Sequence, residues 1–303
     1  MERTRKKYEE LTIIDDFMFG KVMRNPKRCK KLLEIILDVK IRKITFIDDQ
    51  QTVNPDYRAK GIRIDVYVED TADTVYTVEM QIRNTGELPT RSRYYQAVLD
   101  INMIEKGLDY EQLKKNYVIF ICKFDLFGKG RHIYHFENLC REDTSVRLED
   151  GTEKIFLNTK GTLDDVDEEL RSLLDYFESL VPQDAFTGQL DEAVTAARLH
   201  KEWRREYMKM EMMMRDSRRE GISQGLKQGL KQGLKQGLKQ GLKQGRAEEK
   251  VNLVCRKLTK GKTPETIADD LEENLSEIQR ICDVAAKYAP DYDIKKILQE
   301  FLA

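Results

Sequence analysis

The sequence predicts a mixed α/β core followed by a mostly helical C-terminal tail. Apolar and polar side chains alternate along residues 62–69, which is the period of a half-buried strand. Residues 117–122 form a continuous apolar run, typical of a central strand covered on both faces. Beyond about residue 160, apolar side chains recur at helical spacing instead. We therefore predict a first domain over residues 1–160.

The core begins with helices and continues as a hairpin. Apolar residues recur at helical spacing over 15–37, where Pro26 either interrupts one helix or opens a second. A second strand follows at 75–82, and the short segment 70–74 can join the two strands as an antiparallel hairpin. The remaining predicted elements are a helix over 89–106 with Gly107 as its stop, and further strands at 133–136 and 153–158.

The tail opens with a charged helical extension over residues 161–220. An acidic amphipathic stretch occupies 163–180. One long helix is predicted at 191–219, with an apolar stripe formed by Trp203, Tyr207, Met210 and Met214. The chain has a net charge of −1, yet its charges are unevenly placed, since this acidic stretch precedes a strongly basic segment.

Residues 221–246 form a low-complexity segment that contains five tandem copies of GLKQ, at 225–244. A four-residue period on a 3.6-residue helix advances about 40° per copy, so the leucines spiral around the helix and make no straight seam. Each glycine costs the helix about 1 kcal/mol relative to alanine, which leaves it marginal without a partner. Three interpretations stay open: a solvated linker, self-association into a homo-oligomer, and contact of the lysines with nucleic acid.

Residues 247–303 are predicted to form a small helical module. Thr263 and Pro264 mark a helix start, because threonine caps helices and proline suits the first helical position. The pattern resembles a helix-turn-helix, but acidic residues are frequent over 261–288 and would repel phosphate. We therefore favour a protein-interaction module over a DNA-binding one.

Composition and motif spacing argue against several classes of protein. Hydrophobic residues make up 40% of the chain, enough for a core, and no apolar run approaches the ~18 residues of a membrane span. The N-terminus lacks the apolar region of a secretory signal, so we expect a cytoplasmic protein with no membrane partner. The five cysteines are scattered without a CxxC pair, which argues against disulfides and zinc. No catalytic spacing includes the histidines, which we interpret as structural: His132, His135 and His200.

Three polar side chains on the predicted hairpin suggest a catalytic site. Asp65 shares the polar face of its strand with Arg63 and Tyr67, while Glu79 and Gln81 lie two residues apart and hence on one face. If these faces coincide, two carboxylates and an amide converge in an oxygen-rich site that suits Mg²⁺ or Mn²⁺. Such an ion polarises a phosphoryl oxygen and lowers the pKa of bound water. Alternatively, the three residues form only the solvated side of a hairpin.

Several sequence blocks, in order and spacing, accompany these residues. They are DFMF at 16–19, GIRIDVYV at 61–68, VEMQ at 78–81, RSRYY at 91–95, YVIFICKFDLFG at 117–128 and DGTEKIFLN at 150–158. With these blocks, residues 12–160 resemble the Rpn family of recombination-promoting nucleases, also labelled transposases, in the PD-(D/E)XK nuclease superfamily. The resemblance implies a restriction-endonuclease-like mixed sheet flanked by helices.

The resemblance also implies roles for individual residues. Asp65 and Glu79 take the place of metal ligands, and Asp16 matches an N-terminal acidic position that assists metal or water binding. Gln81 stands where the superfamily usually has a lysine, and a neutral amide hydrogen-bonds without supplying positive charge. In the block RSRYY, Arg91 and Tyr95 share a helix face, where they either meet a phosphate and hold the ligands or only pack the helix.

The leading hypothesis is a Mg²⁺- or Mn²⁺-dependent DNA endonuclease that hydrolyses phosphodiester bonds, with a helical tail that arranges copies of the protein. The resemblance further implies a role in DNA recombination or mobile elements in a bacterial cytoplasm. A rival hypothesis is a nuclease-fold protein with weak or no catalysis that acts in DNA binding or self-assembly. Gln81, the near-neutral net charge and the long tail motivate this rival.

Overall fold

The computed structural model describes residues 6–53, 61–104 and 107–302. The chain divides into two compact units, Met1–Glu211 and Met212–Ala303. The first unit contains a six-stranded mixed sheet flanked by helices, which confirms the predicted α/β class.

The sheet has the strand order β1-β2-β3-β4-β6-β5. Its strands are β1 (Ile44–Val53), β2 (Ile62–Asp70), β3 (Val75–Gln81), β4 (Asn116–Cys122), β5 (Ile133–Phe136) and β6 (Thr152–Asn158). β1 pairs antiparallel with β2, and β2 with β3, whereas β3, β4 and β6 are parallel and β5 is antiparallel to β6. The carboxyl ends of the three parallel strands therefore meet at one edge, where Gln81 pairs with Cys122 and Cys122 with Asn158.

Helices cover both faces of the sheet in the first unit. They are α1 (Asp16–Met23), α2 (Pro26–Leu37), α3 (Leu88–Met103), α4 (Glu168–Ser179), α5 (Ala185–Arg198) and the first turns of α6 (Lys201–Leu258). α3 packs on one face with a core that includes Val118 and Phe120 of β4. Ile119 and Ile121 of β4 point into the larger core on the opposite face, among the other helices. β4 is thus covered on both faces, as its continuous apolar run predicts.

Most predicted elements of the core are confirmed. β2 and β3 form the expected antiparallel hairpin, and Pro26 opens a second helix whose first amide groups are capped by the Asn25 side chain. α3 ends at Met103, so Gly107 is not its stop, while Lys106 in the predicted range lies outside the described residues.

Two parts of the first unit differ from the sequence prediction. β1 was not predicted; it pairs with β2 at an edge of the sheet. The prediction of a single helix over 191–219 is wrong, because Leu199 and His200 interrupt the helical conformation between α5 and α6. The apolar stripe on α6 does pack against the larger core, through Trp203, Tyr207 and Met210.

The second unit contains the remainder of α6 and three short helices. These are α7 (Pro264–Leu271), α8 (Leu275–Ala286) and α9 (Ile294–Leu302), which share a small core with the end of α6. Thr263 caps α7 and Pro264 occupies its first turn, as predicted. The GLKQ copies lie within α6 as continuous helix, and their leucines are exposed. Among the described residues, no helix has both the length and the apolar character required to span a membrane.

Candidate active site

Two carboxylates lie where β2 and β3 stop pairing through their backbones. The antiparallel ladder runs from Glu69 opposite Val75 to Val66 opposite Val78, and one further step would bring Asp65 opposite Glu79. At that step, hydrogen bonds to the two carboxylate side chains replace the hydrogen bonds between the strand backbones. The Asp65 amide donates to Glu79 Oε1 at 3.0 Å, and the Met80 amide donates to Asp65 Oδ2 at 3.0 Å. The carboxylates therefore satisfy the backbone groups that the separating strands leave unpaired.

The apolar side chains of β2 also switch from one face of the sheet to the other at Asp65. Ile62 and Ile64 pack in the core beside α3, whereas Val66 and Val68 pack in the core on the opposite face. Regular alternation would place all four on one face, so the pattern is interrupted at Asp65. The prediction of a half-buried strand with one polar face is therefore wrong, because tertiary contacts cover both faces.

Burial rules out the interpretation of a solvated hairpin side for the two carboxylates. Asp65 is 6% exposed and Glu79 is 1% exposed. Tyr67, expected on the same polar face as Asp65, is instead buried in the core beside α3. Charged side chains are rarely buried to this degree unless they are paired, so the position is costly and specific.

Arg91 on α3 contacts Glu79 and Gln81 of β3. Its Nη2 lies 2.7 Å from Glu79 Oε2, and its Nη1 donates to Gln81 Oε1 at 3.3 Å. Arg91 Nε donates to the Tyr95 hydroxyl at 3.0 Å, and that hydroxyl donates in turn to the carbonyl oxygen of Arg63 at 3.2 Å. Of the predicted pair, Arg91 thus contacts Glu79 and Gln81, and Tyr95 holds its guanidinium in one orientation.

Asp16 approaches Asp65 from α1. Its Oδ2 lies 3.9 Å from Arg63 Nη2, and its side chain is 54% exposed. One turn further along α1, Gly20 lies so close to β2 that an added Cβ would be 3.1 Å from the carbonyl oxygen of Asp65. The missing side chain at Gly20 lets α1 approach the sheet and brings Asp16 to the edge of the site.

The electrostatics of the site favour neutral carboxyl groups or an added cation. Burial, with the negative charge of Asp16 as the second cause, raises the pKa of Asp65 from its ordinary 3.8 to about 7. Burial also raises the pKa of Glu79 well above its usual range, with the charge of Asp65 as the second cause. Arg91 opposes both shifts and does not cancel them. Perturbed carboxyl groups of this kind cluster at functional sites.

The donor set is compatible with a hard divalent cation. Asp65 Oδ1 has no hydrogen-bond donor in the part of the chain that the structure describes, and Asp65 lines an open cleft. Within the same residues, no group of three or more His, Cys, Asp or Glu side chains could hold a metal ion. A cation here would thus have Asp65 and Glu79 as its side-chain ligands and water for the rest, a coordination that Mg²⁺ tolerates.

The cleft beside these residues has a volume of ≈ 1070 Å³. All the predicted site residues line it: Asp16, Asp65, Glu79, Gln81, Arg91 and Tyr95. Arg83 and Arg93 line it as well, and sequence reasoning missed them. Their signal was present, since Arg83 follows Gln81 by two residues and Arg93 lies in the block that contains Arg91.

The histidines lie elsewhere. His132 Nδ1 is 2.8 Å from Asp165 Oδ1, and His135 Nδ1 is 2.6 Å from Glu153 Oε1. His200 stacks on the Trp203 ring with centroids 4.2 Å apart. None of the three lines the cleft.

Comparison with known proteins identifies the family. A model of the PD-(D/E)XK nuclease family transposase matches residues 15–222, more than half of the chain. The chain belongs to this family, and the resemblance inferred from the sequence blocks is confirmed. No curated protein and no solved structure matches the chain. The family match includes the cleft and ends within α6, before the first GLKQ copy.

Proposed function

We propose that this member of the PD-(D/E)XK nuclease family is a metal-dependent DNA endonuclease that hydrolyses phosphodiester bonds. The observation that carries the proposal is the pair of buried carboxylates, Asp65 and Glu79, beside the guanidinium of Arg91 in an open cleft. Burying two carboxylates beside only one guanidinium lowers the free energy of unfolding. Destabilising arrangements of this kind are typical of functional sites.

Asp65 and Glu79 are the proposed ligands of Mg²⁺ or Mn²⁺. When bound, the ion supplies a Lewis acid for the phosphoryl oxygen and lowers the pKa of its water. The protein holds the two carboxylates through backbone amides, so both are oriented before any ligand arrives. Asp16 is proposed to assist at the exposed edge of the site.

Arg91 and Gln81 are proposed to share the role of the superfamily lysine. Gln81 has an amide in place of the ammonium group, but the Arg91 guanidinium lies 3.3 Å from its Oε1. Positive charge is thus present beside Glu79 although it comes from α3 and not from β3. A guanidinium here can stabilise negative charge that develops on the phosphate during hydrolysis.

The proposed biological role is in DNA recombination or mobile elements, in a bacterial cytoplasm. The description of the family as transposases supports the link to mobile elements. The rival proposal is a protein that retains the nuclease fold but acts by binding DNA without cutting it. Gln81 is the observation that favours this rival, since the lysine of the usual pattern is absent.

Cleavage of supercoiled plasmid distinguishes the two proposals. The purified full chain is incubated with Mg²⁺ or Mn²⁺, or with EDTA, beside Asp65→Asn and Glu79→Gln. Glu69→Gln is the matched control, because it makes the same change on β2 in a residue that bonds to Tyr67 and Lys114 and does not line the cleft. Metal-dependent nicking that only the two site variants lose supports the nuclease. DNA binding without nicking, unchanged by EDTA, supports the rival.

We also propose that the GLKQ segment associates with a second copy of the chain. Its five leucines, Leu226, Leu230, Leu234, Leu238 and Leu242, are each 56–76% exposed. Beside them the glycines leave a shallow groove of ≈ 1040 Å³ lined by glycine and leucine, with Arg246 and Glu249 at one end. Each leucine that is fully buried contributes about 1.5–3 kcal/mol, and a second copy presents the same ridge and groove.

Light scattering tests this association. Changing Leu230, Leu234 and Leu238 to Gln is expected to lower the mass of the full chain in solution. Changing Lys231, Lys235 and Lys239 to Gln is the matched control, because it alters the same helix on a polar side. An unchanged mass in the leucine variant refutes self-association through this segment.

A further inference from the structure

Two arginines that line the cleft have no acidic partner. Arg83 and Arg93 are both exposed, and within residues 6–53, 61–104 and 107–302 neither forms an ion pair with a carboxylate. Two unpaired guanidinium groups at one cleft are therefore available to an anionic ligand.

The other two arginines of the cleft are already engaged. Arg91 contacts Glu79, Gln81 and Tyr95, and Arg63 lies near Asp16 and donates to Met210 Sδ at 3.4 Å. These two hold the site together from within. Arg83 and Arg93 differ from them because nothing in the described fold uses their charge.

The backbone holds both arginines at the rim. Arg83 lies in the segment between β3 and α3, where Asn84 Oδ1 accepts from the Gly86 amide at 2.8 Å and Gly86 adopts φ +73°. This turn needs glycine and restricts the loop. Arg93 lies on α3 on the same face as Thr90 and Ala97, which also line the cleft.

The unpaired positive charge is on one wall of the cleft only. Arg83 and Arg93 belong to the wall formed by the end of β3 and by α3, and their two charges outnumber that of the exposed Glu87 on the same wall. The opposite wall, at the start of α1, contributes Asp16 and also Asp15, which is paired with Lys6 at 2.8 Å. A polyanion that enters the cleft is attracted to the first wall and repelled by the second.

We propose that Arg83 and Arg93 bind phosphate groups of the nucleic-acid backbone that neighbour the phosphodiester cut beside Asp65 and Glu79. The substrate strand then lies along the wall of β3 and α3, away from α1. The guanidinium is planar and binds phosphate oxygens in pairs, so these contacts position the strand without reading its bases. This inference deepens the proposed nuclease function and rests on it.

The test measures binding separately from cleavage. Fluorescence anisotropy with a labelled DNA duplex is recorded in EDTA between 50 and 200 mM NaCl, with full-length protein carrying Asp65→Asn. Arg83→Ala, Arg93→Ala and the double variant are compared with this parent. Arg141→Ala is the matched control, because Arg141 is exposed, has no ion pair among the described residues and does not line the cleft.

Arg83→Ala and Arg93→Ala are each expected to weaken DNA binding about 3- to 10-fold at low salt. Each is also expected to reduce the slope of log affinity against log salt by about 1. The double variant is expected to reduce the slope by about 2, and the control by nothing. Arg83→Lys and Arg93→Lys keep the charge and are expected to retain most of the slope.

Two results would overturn the inference. One is a double variant with the affinity and salt slope of Arg141→Ala, and the other is a parent that does not bind DNA at 50 mM NaCl. Plasmid nicking is measured with the same arginine variants in protein that retains Asp65, which separates the proposed nuclease activity from the proposed phosphate contacts. If the Arg83 and Arg93 variants lose salt slope but the wild type does not nick plasmid, the nuclease is refuted and phosphate binding by the two arginines stands. If the wild type nicks plasmid but the variants keep the salt slope, only the contacts of Arg83 and Arg93 are refuted.

Discussion

Two groups of buried charges lie side by side in the first unit, and they are balanced differently. Lys21 on α1 and Asp49 on β1 form a 2.7 Å ion pair in which both side chains are almost inaccessible, at 2% and 6% exposure. Asp65 and Glu79 are equally buried, but the cation they share is Arg91, whose side chain is 32% exposed. The first group contains its own counter-ion, and the second has negative charge in excess.

Gly20 lies between the two groups. An added Cβ would be 3.1 Å from both Asp49 Cβ and the carbonyl oxygen of Asp65. The same close contact of α1 with the sheet therefore places Lys21 on Asp49 and Asp16 near Asp65. One helix thus forms a structural ion pair with β1 and, one strand away, lies beside a second pair of carboxylates, the proposed ligands of the cation.

The largest expected effect is on catalysis at the unbalanced group. Asp65→Asn and Glu79→Gln keep the side-chain shape but remove the charge that would hold a cation, so we expect the nicking rate to fall roughly 10³-fold. Initial rates with Mn²⁺ measure it, with circular dichroism as the check on folding. A variant that keeps more than a tenth of the rate contradicts the assignment.

The second prediction concerns stability at the balanced group. Lys21→Met leaves Asp49 buried beside only the exposed Arg24, and we expect the free energy of unfolding to fall by about 3–5 kcal/mol. Urea unfolding measures the loss. The nicking rate per folded molecule is expected to stay within about twofold, since Lys21 does not line the cleft. A loss below 1 kcal/mol would remove the contrast between the groups.

The third prediction is a pH dependence of stability that arises at Asp65. Because the pKa of Asp65 is raised to about 7 in the folded protein, its contribution to stability is present below about pH 4 and is lost as the pH rises through 7. In EDTA at pH 8, Asp65→Asn is therefore expected to stabilise the protein, by at most about 4 kcal/mol. The gain should vanish near pH 4.

Asp49→Asn is the matched control for this measurement. It makes the same change in a carboxylate that Lys21 and Arg24 neutralise, and it is expected to destabilise the protein at pH 8. Unfolding curves at pH 4, 6 and 8 record both variants. Destabilisation by Asp65→Asn at pH 8 would show that Asp65 is as well balanced as Asp49.

The smallest effect is expected at the contact shared by both groups. Gly20→Ala forces α1 and the sheet apart by a few tenths of an ångström, which costs roughly 1–3 kcal/mol. Since Asp16 moves with α1, we expect Gly20→Ala to lower the nicking rate more than the control Gly188→Ala does. Gly188 lies on α5, where an added Cβ meets no other atom within 4 Å. Equal rates for the two variants would show that the approach of α1 does not position Asp16.

Much of the site could be predicted because the hairpin is local. The short connection between β2 and β3 brings residues 65 and 79 to the same level of two neighbouring strands, and the spacing of Arg91 and Tyr95 places both on one face of α3. The edge strand β1 was missed because its polar residues follow no clear period. The break between α5 and α6 was missed because Leu199 and His200 contain no helix-stopping glycine or proline.

By itself, the sequence determined the order and type of the main elements, the helical tail and the pairing of the two strands that contain Asp65 and Glu79. These follow from period, loop length and capping, which act over a few neighbouring residues. Three features depend on the tertiary structure: both carboxylates are buried, Arg91 on α3 pairs with Glu79, and Arg83 and Arg93 form no ion pair within the part of the chain that is described. Desolvation and Coulomb interactions depend on which distant segments surround a charge, and no local pattern records this.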